Sequence, residues 1–168
     1  ANEENLLQRM ISQFDIVATE TGLANPPSAL GVTPYEVLII ASLIEEEAAL
    51  DEERPKIARV IYNRLERSIP LGIDATIVYA LGGDRELTLS DLAVNSPYNT
   101  RLVLGLPPTP ISAPGRASIE AALQPAQGEW LYYVRTDESG VGSHTFAVTQ
   151  EDFNEAVLIC VERELGCG

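Results

Sequence analysis

Apolar residues recur at Leu6, Leu7, Met10, Ile11, Phe14 and Val17, the i, i+3, i+4 spacing of one helix face over residues 3–20. Asn25-Pro26-Pro27-Ser28 breaks that pattern. The most apolar segment, Val37 to Ile44, leads straight into Glu45-Glu46-Glu47 and predicts a helix from about 34 to 50. Its start is well signalled: Thr33 at the N-cap, Pro34 at N1 and Glu36 at N3 form a capping box. Asp51-Glu52-Glu53 opens a third helix with acids at its positive end and Pro55 in its first turn. Its inward stripe is Ile57, Val60, Ile61 and Leu65, and Pro70-Leu71-Gly72 ends it.

From 71 to 113 the pattern is least regular. Gly82-Gly83-Asp84 reads as a turn, and Ser90 as the cap of a short helix. Residues 95–115 hold five of the eleven prolines, yet also Tyr98, Leu102, Val103, Leu104, Leu106 and Ile111, which need burial. This predicts a rigid wall packed on the domain, the kind of long ordered loop that more often serves function than connection. A helix then starts at Ala113-Pro114 and stops at Pro125. Residues 130–135 and 144–148 alternate as two strands around a turn at 137–140. Thr149 and Asp152 form a second capping box, and the last helix runs to about Leu165. The expected class is α+β, mostly helical, with a small antiparallel hairpin sheet.

The length of 168 residues suits one domain with a real core, and 45% apolar residues indicate an ordered chain. No run of 18 or more apolar residues is present to span a bilayer. A formal net charge of −14 argues against a nucleic-acid partner. Five of the eleven basic residues (Arg54, Lys56, Arg59, Arg64, Arg67) fall on the third helix, where pairing with Glu52, Glu53 and Glu66 or display to solvent is expected. Cys160 and Cys167 form no CxxC, and the single histidine completes no zinc site with them. The pair closes a short disulfide if the tail folds back, which would suit an oxidising compartment; otherwise Cys160 is a free buried thiol.

Catalytic chemistry rests on carboxylates. With His144 alone and no G-x-S-x-G elbow, nucleophilic triads are hard to assemble. Glu45 shares a helix face with Leu38, Ala41, Ala48 and Ala49, mostly small residues that leave room for a bulky substrate. A carboxyl against apolar surface has its pKa raised toward neutrality, as a general acid requires. Three glutamates also suit a solvated helix end. Asp74, after an apolar stretch, is the best second carboxylate, or else a cap over Thr76 and Ile77. His144, after a Gly-rich turn, either faces substrate or serves the fold.

The chain resembles the catalytic domain of the endolytic murein transglycosylase, YceG-like family. The residues that carry the likeness are Ala41-Ser42-Leu43-Ile44-Glu45-Glu46-Glu47, Arg54-Pro55-Lys56-Ile57-Ala58, Ile61-Tyr62-Asn63-Arg64-Leu65 and Leu71-Gly72-Ile73-Asp74-Ala75-Thr76. Further along come Ser96-Pro97-Tyr98-Asn99-Thr100, Gly105-Leu106-Pro107-Pro108, Tyr132-Tyr133-Val134 and His144-Thr145-Phe146, all in the family's order. Three positions depart from it: Gly72 for a glutamine, Ala75 for a proline and Arg101 for a tyrosine.

The resemblance implies a lysozyme-like core and endolytic cleavage of the MurNAc-β-1,4-GlcNAc bond with 1,6-anhydroMurNAc ends. One carboxylate would act as acid and then base, with no cofactor and no metal. Glu45 matches the family's catalytic glutamate, with Glu47 as the fallback acid. Asp74, Tyr98, Asn99 and His144 are the expected substrate contacts. Residues 1–30 would form a helix and linker leading into a catalytic domain over 31–168. The implied setting is the extracytoplasmic face of the bacterial membrane. Peptidoglycan strands and cell-wall synthesis proteins would be partners, and an N-terminal anchor absent from this chain would be the membrane link. The alternatives are a non-catalytic glycan-binding or scaffolding module, and a hydrolytic muramidase using Glu45 and Asp74.

Overall fold

Thr33 and Glu36 cap one another as the sequence predicts: Glu36 N–H donates to Thr33 Oγ1, and Glu36 Oε2 accepts from Thr33 N–H at 2.7 Å. They start the central helix of the computed structural model, which describes residues 2–83, 86–137 and 141–167. Six helices appear among the described residues: α1 Glu3–Thr21, α2 Pro34–Glu47, α3 Arg54–Glu66, α4 Asp74–Leu81, α5 Arg116–Leu123 and α6 Gln150–Glu162. Two strands, β1 Tyr132–Arg135 and β2 His144–Ala147, complete an α+β architecture.

Every residue of α2 from Val37 to Ile44 except Leu38 is buried. That explains a segment apolar almost all round: it has neighbours on every side. It packs against α5, α3 and α4. Ile40, Leu43 and Ile44 meet Ile57 and Ile61 of α3 and Ile119 of α5 in one cluster. Each such side chain contributes about 1.5–3 kcal/mol by leaving water.

Helix α2 ends at Glu47 rather than near 50, because Ala48 turns to extended backbone. The stretch read as least regular contains α4, whose short span gave little periodicity to detect. The short 3₁₀ turn Asp91–Ala93 follows Ser90, but it is Thr88 that exchanges bonds with Asp91, not the Ser90 side chain.

The wall over 95–115 is built, though differently. Ser42 Oγ accepts from Ile111 N–H at 3.0 Å, and Ser112 Oγ donates to the Ser42 carbonyl at 3.1 Å, so the loop is fastened to α2. Tyr98, Leu106 and Ile111 join the core, whereas Leu102, Val103 and Leu104 stay exposed. Similarly, α1 forms, but Leu6, Leu7, Met10, Ile11 and Phe14 remain exposed, and only Val17 and Ala18 of the predicted face or its edge reach the core.

The strands pair antiparallel with Tyr133 opposite Phe146 and Arg135 opposite His144. The expected turn at 137–140 lies largely outside the described residues. Alternation sends Tyr133 and Phe146 toward the α2 core, while Val134 joins α6 residues in a second, small cluster. Thr149 Oγ1 accepts from Asp152 N–H to start α6. Cys160 of that helix is disulfide-bonded to Cys167.

Candidate active site

Three consecutive glutamates end α2, and the roughly 100° step between helical neighbours sends them to three environments. Glu46 is exposed. Glu45 points at the start of α5, where Gly115 N–H and Ser118 Oγ donate to its Oε2 at 3.0 and 2.6 Å and Arg54 Nη1 lies 3.5 Å away. In effect Glu45 caps a neighbouring helix, whose N-terminal N–H groups favour an anion. Burial is the largest influence on its carboxyl and acts upward, but the Ser118 and Gly115 bonds and the Arg54 charge outweigh it. Its pKa is therefore lowered, not raised toward neutrality as the helix pattern had predicted. Of the small residues beside it, Ala41 is buried and Ala48 half-buried, and Ala49 is exposed.

Glu47 enters a cleft of about 450 Å³ lined by α2, α3, α4, the hairpin and the tail after α6. Tyr133 Oη donates to Glu47 Oε2 at 2.8 Å. The carboxyl is packed on most sides by protein, and that burial dominates its titration and pushes its pKa up. The Tyr133 bond and nearby His144 act downward, while the charges of Asp74 and Glu46 act upward. Burial likewise holds the Tyr133 phenol well above its ordinary pKa, and the adjacent Glu47 adds to the effect, so the phenol stays a neutral donor.

Asp74, the first residue of α4, stands on the cleft wall and pairs with Arg101, whose Nε and Nη2 each lie 2.7 Å from Asp74 Oδ1. His144 lines the same cleft, edge-on to Tyr133 with ring centres 5.6 Å apart. Its Nδ1 lies 2.7 Å from Glu53 Oε2, and its backbone N–H donates to Glu53 Oε1 at 2.9 Å. A carboxylate accepts only, so Nδ1 carries the proton and Nε2 is the acceptor when the ring is neutral.

The cleft therefore gathers Glu47, Asp74 and His144 from the sequence-predicted set, and places Glu45, Tyr98 and Asn99 outside its lining. Asn99 is fully buried: Nδ2 donates to the Leu92 and Val94 carbonyls, and Oδ1 accepts from Arg101 N–H. It shapes the corner that presents Arg101. Tyr98 bonds Thr109 through its hydroxyl and packs on Tyr79.

Four residues escaped sequence reasoning about the site: Glu53, Arg64, Arg101 and Tyr133. Arg64 turns inward, donating to the carbonyls of Leu131, Pro70 and Leu71 rather than facing solvent. Arg54 and Arg59 likewise bond Ser118 and the Ala126 carbonyl. Glu53 was lost among three adjacent acids. Only Tyr133 had a usable signal, its place on the strand face shared with Phe146.

The sequence profile of the YceG-like family matches residues 1–158. The chain belongs to the YceG-like family. It is 42% identical over 126 residues to a protein named endolytic murein transglycosylase from Bacillus subtilis (strain 168), covering 74% of this chain and 34% of the relative. A protein of the same name from Streptococcus pneumoniae serotype 2 (strain D39 / NCTC 7466) is 36% identical, over 96% of this chain and 30% of the relative. The chain thus spans about a third of these relatives. A crystal structure of a yceG-like protein from Listeria monocytogenes superposes with a TM-score of 0.81 at 34% identity, over 92% of this chain and 50% of that one. The YceG-like fold described above is therefore shared with a relative seen by crystallography.

Proposed function

We propose that this YceG-like chain carries the catalytic region of an endolytic murein transglycosylase, with Glu47 as its acid and base. The observation that carries the reading is Glu47 itself. It is the α2 glutamate that enters the cleft, and its raised pKa favours the protonated form needed to donate. Glu45 lacks both properties.

In the proposed reaction the Glu47 carboxyl protonates the oxygen of the MurNAc-β-1,4-GlcNAc bond as that bond to muramoyl C1 breaks. The muramoyl C6 hydroxyl then bonds to C1 and yields its proton to the Glu47 carboxylate, closing a 1,6-anhydro ring. Glu47 ends protonated as it began, and no water is consumed. One carboxylate suffices, which accords with Asp74 being engaged by Arg101. Asp74 and His144 are proposed as substrate contacts across the cleft, and residues 31–168 as the catalytic unit preceded by a 1–30 lead-in.

The peptidoglycan substrate implies work on the outer side of the membrane, and the Cys160–Cys167 bond suits an oxidising compartment. No helix among the described residues is long and apolar enough to cross a membrane. The acidic surface is not attracted to an anionic wall, so we propose that an anchor or a cell-wall synthesis partner supplies localisation.

The test is mass spectrometry of peptidoglycan strands incubated with the chain and with Glu47→Gln. Internal cuts bearing anhydromuramic ends, lost in Glu47→Gln and kept in Glu45→Gln, are expected. Reducing ends in place of anhydro ends would mean hydrolysis, and loss in Glu45→Gln alone would return the acid role to Glu45.

A further inference from the structure

The C-terminal turn after α6 is a wall of the cleft. Leu165, Gly166 and Cys167 line the same space as Glu47 and Asp74. Glu164 and Gly166 both adopt left-handed backbone, with φ of 54° and 71°, which turns the chain back after Glu162. For Glu164, which has a Cβ, that conformation is sterically disfavoured, so the turn needs something to hold it.

Two features hold it. Leu165 N–H donates to the Cys160 carbonyl at 3.2 Å, and its side chain packs in the cluster of Val134, Ala156 and Cys160. Beyond Leu165, the covalent anchor is the bond from Cys167 to the fully buried Cys160. This is a short loop, closed across seven positions from the last turn of α6 to the tail just beyond it. Its effect therefore concentrates on where residues 164–167 lie.

We propose that the 164–167 turn, fixed by the Cys160–Cys167 bond, is a glycan-contacting wall that sets affinity for the strand. Leu165 adds an apolar group to a cleft also lined by Phe153 and Tyr132, which stack with ring centres 5.1 Å apart. Together they suit the C–H face of a sugar ring, and the exposed peptide groups at Gly166 suit its hydroxyl or N-acetyl groups. Glu47 stands on α2 and shares no bond with the turn, so proton transfer does not depend on it. The inference rests on the glycosidic reading of the cleft and adds to it a binding element distinct from the catalytic one.

The test uses the full chain with polymeric, peptide-free glycan strands as the probe. Cys167→Ala, and separately Leu165→Ala with the disulfide intact, should each raise KM about three- to tenfold with kcat within about twofold. In a Glu47→Gln background, Cys167→Ala should weaken glycan Kd by the same factor, a readout independent of turnover. Thermal unfolding of each variant checks that the fold persists. A lower Tm with unchanged KM and Kd would overturn the inference and leave the bond purely structural. A fall in kcat with unchanged KM would overturn it too. Binding that depends on Cys167 without any cleavage would sink the catalytic reading alone, and absence of glycan binding would sink both.

Discussion

Tyr133 Oη donates to Glu47 Oε2 at 2.8 Å, joining a hairpin strand to the last residue of the central helix. The phenol stabilises the anion of Glu47 more than its acid form, and so acts downward on a pKa that burial drives up. Tyr133→Phe should move the alkaline limb of the kcat/KM profile to higher pH. It should also lower stability by about 1 kcal/mol, the usual net value of one such bond. An unmoved limb in Tyr133→Phe would mean that Glu47 is not the titrating acid.

Glu45 predicts a different variant behaviour. It ties α2 to α5 through Gly115 and Ser118 and faces Arg54. Glu45→Gln should cost about 1–3 kcal/mol at neutral pH, since charge-assisted hydrogen bonds are replaced by neutral ones. Its kcat should stay within a few-fold of the parent, as the carboxyl does not line the cleft. Chemical denaturation alongside anhydro-end release checks both halves.

Glu53 is 7% exposed and holds His144 by both backbone and ring. Glu53→Ala should destabilise by about 2–3 kcal/mol, because two bonds to a charged acceptor are lost together. It should also raise KM, because His144 would be free to leave the cleft wall. Glu53→Gln keeps one acceptor oxygen and should recover part of both losses. Equal damage from Ala and Gln would show that the carboxylate charge, not the hydrogen-bond geometry, is what His144 needs.

How much of this could be read from the sequence depends on the range of the interaction involved. Caps and periodicity are local, so Thr33–Glu36 and the hydrophobic run of α2 announce the central helix and its start, though not its end at Glu47. Helix α4 is eight residues long, too short to show a period. The choice among Glu45, Glu46 and Glu47 needed to know what sits on each side of α2. Small neighbours around Glu45 suggest space for substrate, yet small neighbours also admit a close approach by another element, and the start of α5 bonds the Glu45 carboxyl. The bulky residues on Glu47's face, Ile40 and Leu43, are a turn or more back in the core and do not fill the cleft. Disulfide formation was open for the same reason: seven positions of separation allow it, and only the left-handed turn after Glu162 brings Cys167 back to Cys160.

Glu45 and Glu47 should leave opposite signatures in stability against pH. The native Glu45 pKa lies below its unfolded value, so between the two the unfolded chain binds more protons. The stability it contributes is present above about pH 4.3, the unfolded carboxyl value, and is lost as pH falls through the native one. The gap between parent and Glu45→Gln should therefore close in acid. Glu47 has the reverse sign, because its native pKa is raised by burial and by Asp74 and Glu46, with Tyr133 and His144 only partly opposing. Above the unfolded value the native state binds the extra proton, and stability falls as pH rises through the native pKa. Glu47→Gln mimics the protonated acid without titrating, so it should match the parent at low pH and become the more stable protein toward neutrality. Urea midpoints of the parent and both variants across pH 3 to 8 measure the two gaps, and other titrating groups cancel in each difference. A Glu47→Gln gap that stayed constant with pH would remove the raised carboxyl from the cleft, and with it the reason for choosing Glu47 over Glu45.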